Sequence, residues 1–302
     1  MLKKPEKRRK KKQLFLTRQS SGLSDMPELS IVIVNLNNKD LILDCIDSIQ
    51  KEGSGLELEI IITDNGSTDG SVGALRRIQD SNIKIQIIEN KGNLGYAKAN
   101  NQGIEKTGGK YILLLNSDTI VKKGALGKLM KFAQKNLDAG VVGPKLLNID
   151  GSLQPSCFNF PTIRNAIKEY WLGDKGLFEK FAPTGEKPAE VDAVVGAAFL
   201  ISPKALKKVG MLDERYFAYF EDIDYCRQTW KKGLKVYYLP TSEIIHYHGA
   251  TFKKMSPEKD RWKRLIPGSK IYHGIAKHYI LTAIIWLGQK WVQLTKGKSE
   301  QI

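Results

Sequence analysis

The sequence predicts an α/β protein: a mostly parallel central sheet with helices on both faces, followed by a C-terminal helical extension. Three observations predict it. Short β-branched apolar runs of strand length recur, and each is followed by a segment with apolar residues at helical spacing. Strand and helix then alternate four times within about 90 residues. Such alternation builds βαβ units, whose crossovers lay helices over both faces of a parallel sheet.

The first strand is expected at 29–35, where Leu29, Ile31, Val32, Ile33 and Val34 leave no polar face and so suit a buried strand. Residues 39–51 follow with Leu41, Ile42, Cys45, Ile46 and Ile49 at helical spacing. A second strand is read at 58–63, a helix through Leu75 and Ile78, a third strand at 83–88, a helix at 97–106 and a fourth strand at 111–115. Further on, 124–136 reads as a helix and 140–147 as a strand. Residues 150–190, rich in Pro, Gly and aromatics, read as a long excursion without a clear pattern. The stretch 191–202 is apolar and Gly-containing, 203–209 and 223–232 read as short helices, and 234–239 and 243–248 as two strands.

Charge sets limits on function. Of the formal net charge of +16 over 302 residues, +8 lies in residues 1–20 and +8 in residues 251–302, so the body between is neutral. A nucleic-acid-binding domain carries its charge on the folded part, so no nucleic-acid partner is expected. Residues 1–27 read as a disordered basic tail. Cys45, Cys157 and Cys226 are odd in number and far apart, which opposes a disulfide framework or a zinc finger and fits a reducing, cytoplasmic compartment. The basic start leads only to Leu14, Phe15 and Leu16 before polar residues return, so no signal peptide is expected.

Ligands of an open parallel sheet bind at the carboxyl ends of its strands. Here four consecutive strand ends carry Asn, Asp, Gly and Ser: Asn35, Asn37 and Asn38; then Asp64 to Gly70; then Asn90, Asn93, Gly95, Asn100 and Asn101; then Asn116, Ser117 and Asp118. Any one loop is ordinary turn and cap chemistry; four on one edge point to a polar ligand. No GxGxxG follows the first strand and no GxxxxGK[ST] occurs, so neither a dinucleotide fold nor a P-loop is supported. Asp64 is placed to accept a hydrogen bond from a pyrimidine imide N–H. Asp118 is placed either to ligate a hard divalent cation between two phosphates or simply to cap Thr119.

Two further clusters carry chemistry. Glu221, Asp222 and Asp224 follow a run of aromatics, and an apolar wall raises a carboxyl pKa toward the range of a general base. The same acids also suit a solvated helix start, and Asp224 is the one most readily structural. His246 and His248 alternate along a strand and share a face, so either or both can point at a metal or a phosphate. Cys226 reads as a core residue.

The ordered set Ser30–Asn35, Asp64–Gly70, Asn93–Asn101, Asn116–Asp118, Phe220–Asp224 and His246–Thr251 resembles the inverting family 2 glycosyltransferases of GT-A fold, in particular their rhamnosyltransferase-like branch. The resemblance covers about residues 29–251. It implies a GT-A domain over 28–252, with a nucleotide-binding half at 28–120 and an acceptor and catalytic half at 121–252. Asp64 would read the base of a UDP- or dTDP-sugar, with Asn35, Asn37, Asn93, Gly95, Asn100 and Asn116 lining the nucleotide pocket. Asp118 would be the last residue of the DXD-type motif, here Asn-Ser-Asp, and would hold Mg²⁺ or Mn²⁺ with His246. Asp222 would be the base that activates a hydroxyl of a glycan or lipid-linked acceptor, with Glu221 orienting it. Transfer of a sugar, rhamnose among the candidates, would invert the anomeric centre in cell-surface polysaccharide synthesis.

The segment 253–302 lies beyond the resemblance and reads as a basic, amphipathic helical extension. Between Lys270 and Leu294, Ile271, Ile275, Tyr279, Ile284, Ile285, Trp286 and Trp291 interleave with lysines, which suits a helix in a membrane interface, a helix packed on the domain, or a contact in a homo-oligomer. A peripheral place on the inner face of the cell membrane follows from the first. The competing classes are a sugar nucleotidyltransferase, which shares the sheet and cation site, and a non-enzymatic, nucleic-acid-associated protein acting through its basic tail.

Overall fold

The structure, a computed structural model, describes residues 27–53, 55–78, 83–247 and 263–296. The N-terminal basic tail, His248 and residues 249–262 lie outside them. Strands β1 (Leu29–Asn35), β2 (Leu58–Asp64), β3 (Lys84–Glu89) and β4 (Tyr111–Asn116) alternate with helices α1 (Lys39–Glu52), α2 (Ser71–Leu75) and α3 (Tyr96–Ile104). Then come β5 (Thr119–Val121), α4 (Ala125–Lys135), β6 (Ala139–Leu147), β7 (Leu153–Gln154), β8 (Cys157–Phe158) and α5 (Ile163–Trp171). The chain continues through β9 (Ala189–Glu190), β10 (Ala193–Val194), β11 (Ala198–Ile201), α6 (Pro203–Lys208), α7 (Glu221–Lys231) and β12 (Lys235–His246), and closes with α8 (Leu265–His273) and α9 (Ile275–Lys296).

The sheet runs β3-β2-β1-β4-β11-β6-β12-β5. Strands β1 to β4 are parallel as expected; β11 is antiparallel to both β4 and β6, β12 is parallel to β6, and β5 is antiparallel to β12. Two reversals about β11 return β6 and β12 to the direction of β4. The C-terminal ends of β1, β2, β4 and β12 therefore share one edge. Each strand feeds two cores: Ile31, Ile33, Ile60, Ile62 and Leu113 pack on one face, and Val32, Ile61, Ile112 and Leu114 on the other. The period of two and helices on both sides explain why these strands have no polar face.

The observed elements add the short strands β5 and β7 to β11 to the expected ones, and differ from them further as follows. The second helix stops at Leu75, because Arg77 and Ile78 donate to carbonyls only three residues back (3.1 and 3.2 Å) and so tighten the chain into a turn. The two strands expected at 234–239 and 243–248 are one strand, β12, with a register shift between Leu239 and Glu243 where Pro240 has no N–H to give to the ladder. The excursion 150–190 contains α5, capped by Thr162 Oγ1, which accepts from Asn165 N (3.1 Å). The C-terminal segment is two helices, because Gly274 at φ 79° ends α8.

Candidate active site

The loop after β2 is organised by its own acid. Asp64 is buried; its Oδ1 accepts from Gly66 N (3.0 Å) and Ser67 N (2.8 Å), and its Oδ2 from Asn35 Nδ2 (2.9 Å) and Ser67 Oγ (2.6 Å). With four bonds in place, a base imide reaching this carboxylate must share or displace one of them. Asn35 Oδ1 is the buried acceptor left over at this strand end. Asn37, at φ 53°, donates its N–H to Ser67 Oγ (2.9 Å) and accepts from Thr68 N (2.7 Å). Asn65 joins Asn93 (3.3 Å), whose Oδ1 also accepts from Gly95 N (2.9 Å). Asn35, Asn37, Asp64 and Asn93 are thus one hydrogen-bonded ridge. Asn100 stands apart, donating to Tyr96 O (3.0 Å) inside α3. Gly95, at φ 84°, has no room for a side chain, since a Cβ there would lie 2.5 Å from Phe217 O.

At the end of β4, Asn116 and Asp118 meet β12. His246 Nε2 lies 3.4 Å from Asp118 Oδ1 and 3.4 Å from Asn116 Nδ2, and all three approach from the same sheet edge. Asp118 and His246 are both buried, and Tyr247 N donates to Asp118 O (2.9 Å), which fixes the loop through its backbone. Among the described residues no group of three or more His, Cys, Asp or Glu side chains gathers as a metal cluster. The cation donors present are therefore one carboxylate and one imidazole.

The acids sit where α7 begins. Tyr219 (φ 68°) and Phe220 (φ 72°) hold the left-handed conformation directly before Glu221, a backbone that bulky residues adopt only at a cost of about 1–3 kcal/mol each. Asp222 Oδ2 accepts from Gly196 N (3.0 Å) and its Oδ1 from Ile223 N (2.8 Å). Tyr96 Oη donates to Gly196 O (2.6 Å), and Tyr96 N to Phe217 O (2.7 Å), which ties α3 to both sides of the acid pair. Tyr96, Leu114, Gly196, Phe199, Leu212, Glu221 and Asp222 line a small cleft. Burial and then the charges of Glu221, Asp222 and Asp118 push the Tyr96 phenol well up.

Burial, and next the charge of Asp222, push Glu221 up to about 8. Its Oε2 has no partner. Burial pushes Asp222 up as well, but two backbone N–H groups and the Lys180 ammonium pull it back toward the ionised form. Within the pair these donors favour the charge on Asp222, and Glu221, which lacks them, is the group that burial favours protonated. A linkage follows. The folded protein holds the Glu221 proton that the unfolded chain releases near 4.5, so this contribution to stability is full below about pH 4.5 and is lost as pH rises through about 8. Glu221→Gln is expected to flatten that decline and to stabilise the protein at pH 8.5 by about 2–4 kcal/mol while changing little at pH 4. Urea unfolding at the two pH values checks it, and equal gains at both would contradict the assignment of the proton.

Several groups at this site escape a reading of the sequence. Lys180, whose ammonium lies 5.4 Å from the Phe158 ring centroid, and the Gly196 N–H both come from segments without a motif. Gln154 is another: its Oε1 lies 2.8 Å from His246 Nδ1. The only local signal for it is the Asp150-Gly151 pair, which marks a hairpin turn but not what the hairpin delivers.

Comparison with known proteins gives the family and the fold. The family model for glycosyl transferase family 2 matches residues 30–210. The N-acetylglucosaminyl-diphospho-decaprenol L-rhamnosyltransferase of Mycobacterium tuberculosis (strain ATCC 25618 / H37Rv) is 28% identical over 211 residues, which cover 63% of this chain and 66% of the relative. Among solved structures, GalNAc-T7 with UDP, GalNAc and Mn²⁺ superposes with TM-score 0.59 at 15% identity over 82% of this chain and 52% of its own. The mannosyltransferase PcManGT of Pyrobaculum calidifontis, with GDP-Man and Mn²⁺, gives 0.54 at 14% identity over 90% and 70%. The chain thus spans just under two thirds of the curated relative and about half of GalNAc-T7. The fold is GT-A.

Proposed function

Since the chain belongs to glycosyltransferase family 2, we propose that it transfers a sugar from a nucleoside-diphosphate sugar to a hydroxyl of a glycan or lipid-linked glycan in cell-surface polysaccharide synthesis. The observation that carries this is that one sheet edge holds both Glu221 and Asp222, which line a cleft with Tyr96, and Asp118 with His246 3.4 Å from it. The curated relative acts, by its name, on a decaprenol-linked acceptor, which supports a lipid-linked substrate here. Rhamnose is the donor sugar that relative suggests. The ridge of Asn35, Asn37, Asp64 and Asn93, with Asn100 and Asn116 beyond it, takes the nucleotide, and UDP or dTDP suits an acceptor-rich strand end that meets a pyrimidine imide.

The donor set fits a divalent cation. A carboxylate oxygen and an imidazole nitrogen 3.4 Å apart are close to the ~3 Å separation of neighbouring ligands in an octahedral shell with bonds of about 2.1 Å. Asp118 and His246 would hold Mg²⁺ or Mn²⁺, which when bound neutralises charge growing on the leaving diphosphate. The chain's own groups do the rest. Asp222, ionised and held by Gly196 N, accepts the proton of the acceptor hydroxyl as it attacks the anomeric carbon. Glu221, protonated, offers a donor that orients the acceptor. Attack from the face opposite the leaving group inverts the centre, and no protein nucleophile is required.

Among the described residues no helix is long and apolar enough to cross a membrane. Helix α9 instead packs on α5: Trp171 Nε1 donates to Ile284 O (3.1 Å), and a Cβ at Gly288 would lie 2.6 Å from Tyr170 Cβ. Its other side leaves Ile275, Tyr279, Trp286, Leu287, Trp291 and Leu294 exposed, beside exposed Trp171 and Leu172 of the α5 end. Lys277 and Lys290 lie on the same helix. This surface suits an anionic membrane interface, where a lipid-linked acceptor resides. Trp286→Ala with Trp291→Ala is expected to weaken cosedimentation with phosphatidylglycerol vesicles by about tenfold or more. Equal binding by the variant would remove the role of α9.

The catalytic reading is tested by following nucleoside diphosphate release from a panel of UDP-, dTDP- and GDP-sugars with and without Mn²⁺. Release from one donor class, stimulated by Mn²⁺ and by a polyprenyl-diphosphate glycan, is expected. Absence of release from every donor would overturn it.

A further inference from the structure

Gln154 is buried, and its side chain makes three contacts that determine one another. Its Nε2 lies 3.1 Å from the His246 backbone carbonyl and 2.8 Å from Asn148 Oδ1. A backbone carbonyl only accepts, so the NH₂ end of the amide faces it and Oε1 faces the imidazole. Oε1 in turn only accepts, so the ring nitrogen 2.8 Å away, Nδ1, carries the hydrogen. In a neutral imidazole the other nitrogen then carries no hydrogen and can only accept. That nitrogen is Nε2, the one 3.4 Å from Asp118 Oδ1. Asn116 Nδ2, at the same distance, is a donor and agrees with a lone pair there.

We propose that Gln154 is a positioning residue of the cation site, holding His246 in the Nδ1–H tautomer so that Nε2 faces the cation together with Asp118. The inference rests on the reading of Asp118 and His246 as the cation pair. A second sphere of this kind fixes ring orientation and raises ligand basicity, and its loss costs about 10–100-fold in metal affinity. The seat of Gln154 explains how a residue 92 positions away does this. In the hairpin from β6 to β7, Asn148 N donates to Ser152 O (2.8 Å) and Gly151 takes φ 81°, which sets Gln154 opposite Leu146. Asn148 Oδ1 then holds the amide from behind. The hairpin delivers one acceptor to one ring nitrogen.

The experiment uses the full chain. Long-range ¹H–¹⁵N correlation of the histidine rings in the metal-free protein is expected to show His246 protonated at Nδ1. Gln154→Met, which keeps the volume but has no comparable acceptor, is expected to give mixed tautomers and to weaken Mn²⁺ binding, read by electron paramagnetic resonance of free Mn²⁺, by about 10–100-fold. A wild-type ring protonated at Nε2 overturns the proposal without any variant having to fold. So does a Gln154→Met protein with unchanged tautomer and unchanged affinity. His246→Ala separates the two levels. If it binds Mn²⁺ as tightly as the wild type, the cation-pair reading falls and the role of Gln154 with it. If it loses Mn²⁺ while Gln154→Met does not, only the role of Gln154 falls.

Discussion

Asp222→Asn is expected to lower kcat by about 10²–10⁴-fold, the range that a positioned general base supplies, with KM for the donor nearly unchanged. The surroundings of the carboxylate support that expectation. Its oxygens accept from Gly196 N and Ile223 N, and those bonds hold it in place and favour its charge. The neighbouring Glu221, without such donors, takes up the proton that the buried pair retains. Asparagine keeps the shape and one acceptor but has no basicity. It also turns an NH₂ toward one of the two backbone N–H groups, a loss of about 1–3 kcal/mol that removing the cost of a buried charge offsets. Thermal unfolding should therefore move by only a few degrees while steady-state turnover collapses. Retention of more than a tenth of wild-type kcat would assign the proton to another group.

Asp118→Asn is expected to abolish any stimulation by Mn²⁺ and to lower kcat/KM by about 10²–10³-fold, comparable to removing a single dominant electrostatic stabiliser of a leaving group. The size follows from the thin donor set. The triplet reads Asn116, Ser117, Asp118, so a single carboxylate carries the negative charge that a hard cation needs, and His246 alone remains without it. The loop does not depend on that carboxylate, because Tyr247 N holds the Asp118 backbone carbonyl. Binding of UDP measured calorimetrically with Mn²⁺ should fall in the variant to the level that the wild type shows in chelator. A variant still activated by Mn²⁺ would move the cation elsewhere.

The first half of the fold was legible because each layer of evidence there is local. Leu29 to Asn35 is apolar on both faces and ends in Asn, and β2 to Asp64 repeats the pattern, so strand, direction and ligand edge follow from a dozen residues. The insertion of β11 between β4 and β6 was not legible. Four residues, Ala198–Ile201, carry no period that distinguishes a parallel from an antiparallel neighbour. The acids of α7 could be picked out by type, but not the reason they differ. That reason is the N–H of Gly196, 26 residues away, and the hydroxyl of Tyr96, 100 residues from Gly196. Gln154 is the extreme case. A lone glutamine after a turn has no signature until the sheet closes over it.

The strained step into α7 is held from outside the region that the resemblance covers. A Cβ at Gly268 of α8 would lie 2.9 Å from Phe220 Cδ2 and from Tyr219 O, and Arg227 of α7 stacks on Tyr272 at 3.7 Å while its NH1 donates to the Tyr272 carbonyl (3.1 Å). The helix that carries the acids and the helix pair that offers the apolar surface therefore share one joint. Two sites that bias the same joint exchange free energy equally in both directions. If α9 seats on a bilayer, whatever that does to an acceptor's affinity is matched by what a bound acceptor does to the hold on the bilayer. Attachment would set not only where such an enzyme works but how much of it stands ready.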